Sequence, residues 1–188
     1  MAEKRRWPLA FATMVADHLV GHLTPYCKRI QVAGSIRRRK PMVGDIELLC
    51  IPDVVSLRNL LGEVTEQLDT LDQGIKRLIE AGFLAYRLSQ AGGRLSYGPK
   101  NKFLVHVPSG MPVDVFTANE RNWGMALFVR TGPADWNKRA MSRFQQLGLR
   151  GHAYGGITGP GGLPVDCPDE ETVFRHLDWP YLPPEERK

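Results

Sequence analysis

The sequence predicts an α+β fold in two parts: a mixed lobe over residues 1–118 and a small, mostly helical lobe with a hairpin over 119–188. Short apolar runs closed by Gly or Pro mark strands in the first part. Apolar residues recurring every three or four positions mark helices in both parts. After residue 118 the pattern changes to two consecutive helical segments, with no strand between them.

Residues 8–23 read as a helix, because Pro8 suits a first turn and Phe11, Val15, Leu19 and Leu23 recur every four positions. Residues 29–34 read as a strand ending in a Gly-Ser turn, and 44–51 as a second strand stopped by Pro52. Over 56–71, Leu57, Leu60, Leu61, Val64, Leu68 and Leu71 share one helical face, which predicts an amphipathic helix with Ser56 as cap. A short helix at 74–81 ends at Gly82. Strands follow at 83–89, 102–107 and 112–117, the first two separated by a Gly-rich loop. Helices are expected at 121–130 and 133–147, a hairpin at 149–157, a loop in GITGPGGLP and a last helix at 169–177.

No run of 18 apolar residues predicts a membrane span. Cys27, Cys50 and Cys167 form no CxxC pair, which disfavours a zinc ribbon and fits a reducing, cytoplasmic setting. The net charge of +5 is uneven. Residues 1–43 carry nine Lys or Arg against two acids, and 119–150 carry six against two. The stretch between them is −2 and the tail −4. Two basic blocks around a mildly acidic centre suit a polyanion held near a metal site, and equally a solvated basic surface.

In the strand GDIELL, side chains alternate, so Asp45 and Glu47 point to one face. Alone, such a pair is more often an exposed sheet face. Asp114, in the apolar strand PVDVF, is a third carboxylate in a similar setting. Three carboxylates can hold two hard cations, with phosphate and water oxygens completing the shells. Ten residues upstream of Asp45 is the turn AGSIRRRK. Gly34 lets backbone approach an anion, Ser35 can donate to phosphate oxygens, and Arg37 and Arg38 add fork-shaped charged donors. A phosphate cradle beside a carboxylate set is what triphosphate transfer needs.

The motif G-S-x-R-R followed by G-D-x-[DE] resembles the signature of the nucleotidyltransferase superfamily, and in particular the DNA polymerase X family. WGMALFVRTGPADWNKRAM resembles that family's thumb, and GHAYGGITGPGGLPVDCPDEETVFRHLDWPYLPPEER its C-terminal end, so the likeness runs over 8–188. The resemblance implies a palm over 1–118, built as a mixed sheet with helices on one side, and a thumb over 119–188. It implies a DNA-directed DNA polymerase, gap-filling in type, that uses two Mg²⁺ ions (with Mn²⁺ as a substitute), dNTPs and a DNA primer, and acts as a monomer. Terminal transfer, or transfer to a small-molecule or protein acceptor, is the alternative; a DNA-binding module with a decayed site is a third reading.

By the same resemblance Asp45, Glu47 and Asp114 are the metal ligands, and Asp114 serves the primer 3′ hydroxyl. Gly34, Ser35 and Arg38 take the β- and γ-phosphates. Thr131 and Gly132 form a turn beside the sugar. Trp136 and Asn137 match an aromatic-Asn pair, with Asn137 near the base edge. DNA contacts are expected from Lys4, Arg5 and Arg6, from Arg37, Arg39 and Lys40, and from Lys138, Arg139 and Arg143. Lys100 and Lys102 are candidate template contacts. The chain departs from the family pattern at Glu47, where Asp is usual, at Val129 and Arg130, where two aromatics are common, and at Ala134 and Met141. About twenty residues precede the palm-like region, so no deoxyribose-phosphate lyase activity is expected. His18 and His22, spaced i and i+4, lack a third ligand nearby in sequence and carry little weight.

Overall fold

The computed structural model describes residues 5–88, 93–154 and 156–188. At its centre is a five-stranded mixed sheet in the order β2-β4-β9-β8-β7. These strands are β2 (Cys27–Val32), β4 (Ile46–Pro52), β7 (Leu84–Tyr86), β8 (Asn101–His106) and β9 (Met111–Thr117). β4 and β9 run parallel; the other pairings are antiparallel. Two small pairs lie outside this sheet: β1 (Trp7–Pro8) with β3 (Met42–Val43), and β5 (Val54–Arg58) with β6 (Val64–Asp69).

Side-chain alternation gives the sheet two different faces. Ile46, Leu48 and Cys50 of β4, with Val113 and Val115 of β9, point one way. They pack against Ala12, Val15, Ala16 and Leu19 of α1 (Leu9–Leu23) and against Leu71, Ile75 and Leu78 of α3 (Thr70–Glu80). Glu47, Leu49 and Ile51 point the other way, as do Asp114 and Phe116. On that side Leu49, Ile51 and Phe116 pack against Trp123, Ala126 and Leu127 of α4 (Trp123–Thr131).

The opposite flank of α4 presents Met125 and Phe128 to a second core. That core is completed by Trp136, Ala140 and Phe144 of α5 (Ala134–Gln146), and by Val173 and Phe174 of α6 (Glu170–His176). A small antiparallel sheet of β10 (Arg150–His152), β11 (Gly156–Thr158) and β12 (Pro164–Val165) closes it. α4 is thus common to both cores. No described helix is long and apolar enough to cross a membrane.

The structure corrects the expected helix over 56–71. This stretch is the β5–β6 hairpin, and the helix that follows begins at Thr70 rather than 74. Asn59 makes the turn: its Oδ1 accepts from the backbone N–H groups of Leu61 and Glu63 at 2.9 and 3.0 Å. Gly62 adopts φ +82°, where a helix cannot continue. Leu57, Leu60, Leu61 and Val64 remain exposed, so no core rewards the helical face the spacing suggests. Asp69 then caps α3 by accepting from the Asp72 N–H at 3.2 Å. A second correction concerns GITGPGGLP, which contains β11, a 3-10 turn at Pro160–Gly162 and the start of β12. The expected strand at 83–89 is shorter, and residues 89–92 lie outside the described residues, as does Lys4.

Candidate active site

The three carboxylates sit together because of strand register. In the parallel β4–β9 ladder, Glu47 is the direct partner of Asp114. Asp45 lies two residues before Glu47, so it shares that face. Asp114 in turn pairs with Phe103 of β8. Glu47, Asp114 and Phe103 therefore form one row across three strands, with Asp45 and Phe116 on the adjoining rows.

Burial and crowding act on this row. The Glu47 carboxyl is pushed up to about 7, first by its burial and then by the neighbouring Asp45 and Asp114 charges, with Arg130 and Arg38 opposing. Asp114 accepts a hydrogen bond from Arg87 Nη2 at 2.6 Å. Arg87 is held by its own backbone N–H on Phe103 O, 3.1 Å away, and its guanidinium lies 5.1 Å from the Phe103 ring. Sequence reasoning missed Arg87, whose role depends on strand register rather than on any local motif.

The turn after β2 meets this face directly. It is a single helical turn, α2 (Gly34–Arg37), where an irregular basic turn was expected. Gly34 takes φ +62°, and a Cβ at that position would collide with the Glu47 carboxylate. Glycine here satisfies both the backbone conformation and the close approach. The Ser35 hydroxyl and Arg38 Nε are buried without a hydrogen-bond partner among the described residues. Burial shifts the Arg38 guanidinium downward, with Glu47 and Asp45 acting against that. A cleft of about 400 Å³ opens here, lined by Arg6, Ser35, Arg38, Lys40, Gly44 and Asp45. A larger hollow, lined by Arg5, Trp7, Phe11 and Val107–Gly110, includes none of the carboxylates.

The second lobe reaches the same place through Thr131 and Gly132. Arg37 Nη1 donates to Thr131 Oγ1 at 2.6 Å, and Arg38 Nη1 donates to Thr131 O. Asn137 holds the turn by donating from Nδ2 to Val129 O at 2.8 Å and to Gly132 O at 3.2 Å. Its Oδ1 is buried without a partner among the described residues. Arg130, one residue before the turn, lies 3.5 Å from the Phe116 ring centre and 4.8 Å from that of Tyr154.

Other expected contacts are placed differently. Arg37 also donates to Glu170 Oε2 at 2.6 Å, with side-chain exposures of 15% and 5%, so it belongs to the junction between the lobes and not to an outer DNA-facing surface. Arg187 grips the other Glu170 oxygen. Trp136 is 5% exposed inside the second core, against Phe128, Phe174 and Trp179, so it packs there and does not present a face to a nucleotide. Arg143 bonds Leu177 O and Asp178, and Arg139 bonds Lys188 O. Lys138 pairs with Asp135 at 3.0 Å on an exposed surface. Lys102 is buried between Asp69, Gly98 O and the Tyr97 ring, which removes it from any template. Arg39 and Lys40 are exposed beside the cleft. His18 and His22 touch through their Nε2 atoms at 3.0 Å on α1.

The donor set suits hard divalent cations: three acidic side chains share one face, and their mutual repulsion is relieved by positive charge. Among the described residues no three carboxylate, imidazole or thiolate groups converge on one point as a ready-made cage.

Residues 126–188 match the family model described as DNA polymerase beta thumb. The matched segment begins within α4 and includes Thr131, Gly132, Asn137 and Glu170. Comparison with curated proteins gives no match.

Proposed function

We propose that this chain is a nucleotidyltransferase of the DNA polymerase X type, transferring dNMP from a dNTP to a primer 3′ hydroxyl. The observation that carries the reading is the packing of the Gly34–Arg38 turn onto the Glu47 carboxylate, beside Asp45 and Asp114 and gripped by Thr131. A cleft of about 400 Å³ lined by Ser35, Arg38 and Asp45 thus adjoins the carboxylate face, and Thr131 of the segment matching a polymerase thumb bonds Arg37 and Arg38 of the same turn.

Each residue has a task in that reaction. The Ser35 hydroxyl and the Arg38 guanidinium bind the terminal phosphates of the triphosphate, and Lys40 and Arg6 add positive charge at the cleft mouth. The Thr131–Gly132 turn, fixed by Asn137, sets where the sugar lies. Asp114 orients the acceptor hydroxyl and takes its proton. The acceptor oxygen then bonds to the α-phosphorus, the bond from that phosphorus to the bridging oxygen breaks, and pyrophosphate leaves. Asp45, Glu47 and Asp114 would hold two Mg²⁺ ions, which neutralise the phosphates and lower the cost of the developing charge. Positioning and fixed charge supply most of the rate. DNA follows the basic surface that includes Arg39 and Lys40, so its binding weakens with salt.

The test is primer extension with Mg²⁺ and four dNTPs on a one-nucleotide gap and on a lone single strand. Templated filling of the gap is expected, with Asp114→Asn inactive. Extension of the single strand alone would replace this reading with terminal transfer, and activity retained in Asp114→Asn would remove the carboxylate assignment.

A further inference from the structure

His18 and His22 stand about one turn apart on the exposed side of α1. A spacing of four residues sets two side chains next to each other on a helix. Their Nε2 atoms are 3.0 Å apart, and the ring planes meet at 81°. Phe83 braces both rings: His18 meets it edge-on, 5.7 Å between centroids, and His22 stacks on it at 6.3 Å. Phe83 is itself anchored, donating its N–H to Leu78 O and accepting from the Val107 N–H, each at 2.9 Å. Two exposed imidazole nitrogens therefore face each other with their rings held in place. His22 lies in the last turn of α1, where the helix dipole favours positive charge. α1 covers the sheet face opposite Glu47 and Asp114, so the pair is separate from the carboxylate site.

The geometry points to a second metal site, independent of the proposed transferase chemistry: His18 and His22 chelate one transition-metal ion of the Zn²⁺, Ni²⁺ or Cu²⁺ class through both Nε2 atoms. Two metal–imidazole bonds of about 2.0–2.1 Å at a right angle put the nitrogens about 2.9 Å apart, and a tetrahedral angle puts them about 3.3 Å apart. The observed 3.0 Å is nearer the first value, which suits Ni²⁺ and Cu²⁺. Mg²⁺ prefers oxygen ligands and does not compete here. Without metal, one ring carries its proton on Nε2 and donates to the other. On binding, that proton passes to Nδ1 of the same ring, both Nε2 lone pairs go to the metal, and no net proton is released. No third carboxylate, imidazole or thiolate joins the pair among the described residues, so water completes the shell. The ion ties successive turns of α1 together and stabilises the folded chain that binds it.

The experiment is calorimetric titration of the full chain with Ni²⁺ at pH 8, with Mg²⁺ in large excess to occupy the carboxylates. Wild type, His18→Ala, His22→Ala and, as a control at another exposed histidine, His152→Ala are compared, and melting midpoints are recorded with and without Ni²⁺. Wild type and His152→Ala are expected to bind one Ni²⁺ alike and to melt higher with it. Each of the other two variants keeps one ligand and should bind at least about tenfold more weakly, with little gain in melting midpoint. Unchanged binding in His18→Ala or His22→Ala overturns the inference. So does the absence of saturable binding in wild type, or its appearance only when Mg²⁺ is left out, which would place the ion on the carboxylates.

Discussion

Arg87 Nη2 lies 2.6 Å from Asp114 Oδ1, joining the residue that follows β7 to the acid in the middle of β9. Neither side chain is fully open to solvent, so the pair fixes where the Asp114 carboxylate points. On the proposed reading, the acid that meets the acceptor hydroxyl depends on that orientation.

Replacing Arg87 with Met should therefore lower primer-extension kcat by about tenfold or more, with the dNTP KM changing far less. Arg87→Lys should recover part of the loss, because a point charge replaces only one function of the fork. Equal kcat in wild type and Arg87→Met would show that Asp114 needs no such guide.

Glu47 predicts a pH effect on stability in chelator-treated protein. Its carboxyl is raised from 4.5 to about 7, so between these values the folded chain holds a proton that the unfolded chain has released. Stability therefore falls as pH rises through that window, by at most about 1.4 kcal/mol per pH unit for one proton. Melting midpoints of wild type and Glu47→Gln, recorded from pH 4.5 to 7.5, give the check. The downward trend should be shallower in the variant, and parallel curves would count against it.

Glu170 is compensated from two directions, by Arg37 near the first lobe's cleft and by Arg187 near the chain end. Glu170→Gln leaves two guanidinium groups facing a neutral amide in a poorly hydrated site. Urea unfolding should show a loss of about 3 kcal/mol. Arg37→Met leaves Arg187 on the carboxylate and should cost less. The reverse order would mean that Arg37, rather than Glu170, organises the junction.

Much of the framework was readable because its signals are local. Pro8 and the four-residue recurrence place α1 to within one residue of Leu9–Leu23. Alternation in GDIELL put Asp45 and Glu47 on one face without knowledge of the neighbouring strand. What the sequence could not give was pairing. That Glu47 faces Asp114, and that Arg87 reaches across to it, follows from a register between segments far apart in the chain. The 56–71 error has a related cause. Leucine spacing fits a helix, but spacing does not say whether a core waits for the leucines, while Asn59 and Gly62 bend the backbone first. Trp136, expected at the nucleotide from an aromatic-Asn motif, packs in the second core, and Arg37, expected at DNA from its basic turn, bridges the two lobes.

The β5–β6 hairpin joins neither edge of the five-stranded sheet, and its apolar residues face solvent at Leu60 and Leu61. A two-stranded ribbon of this kind is held mainly by its own ladder. Its amides should open in small local events and exchange with deuterium well before those of β4 and β9, whose hydrogen bonds are released only when the main sheet comes apart.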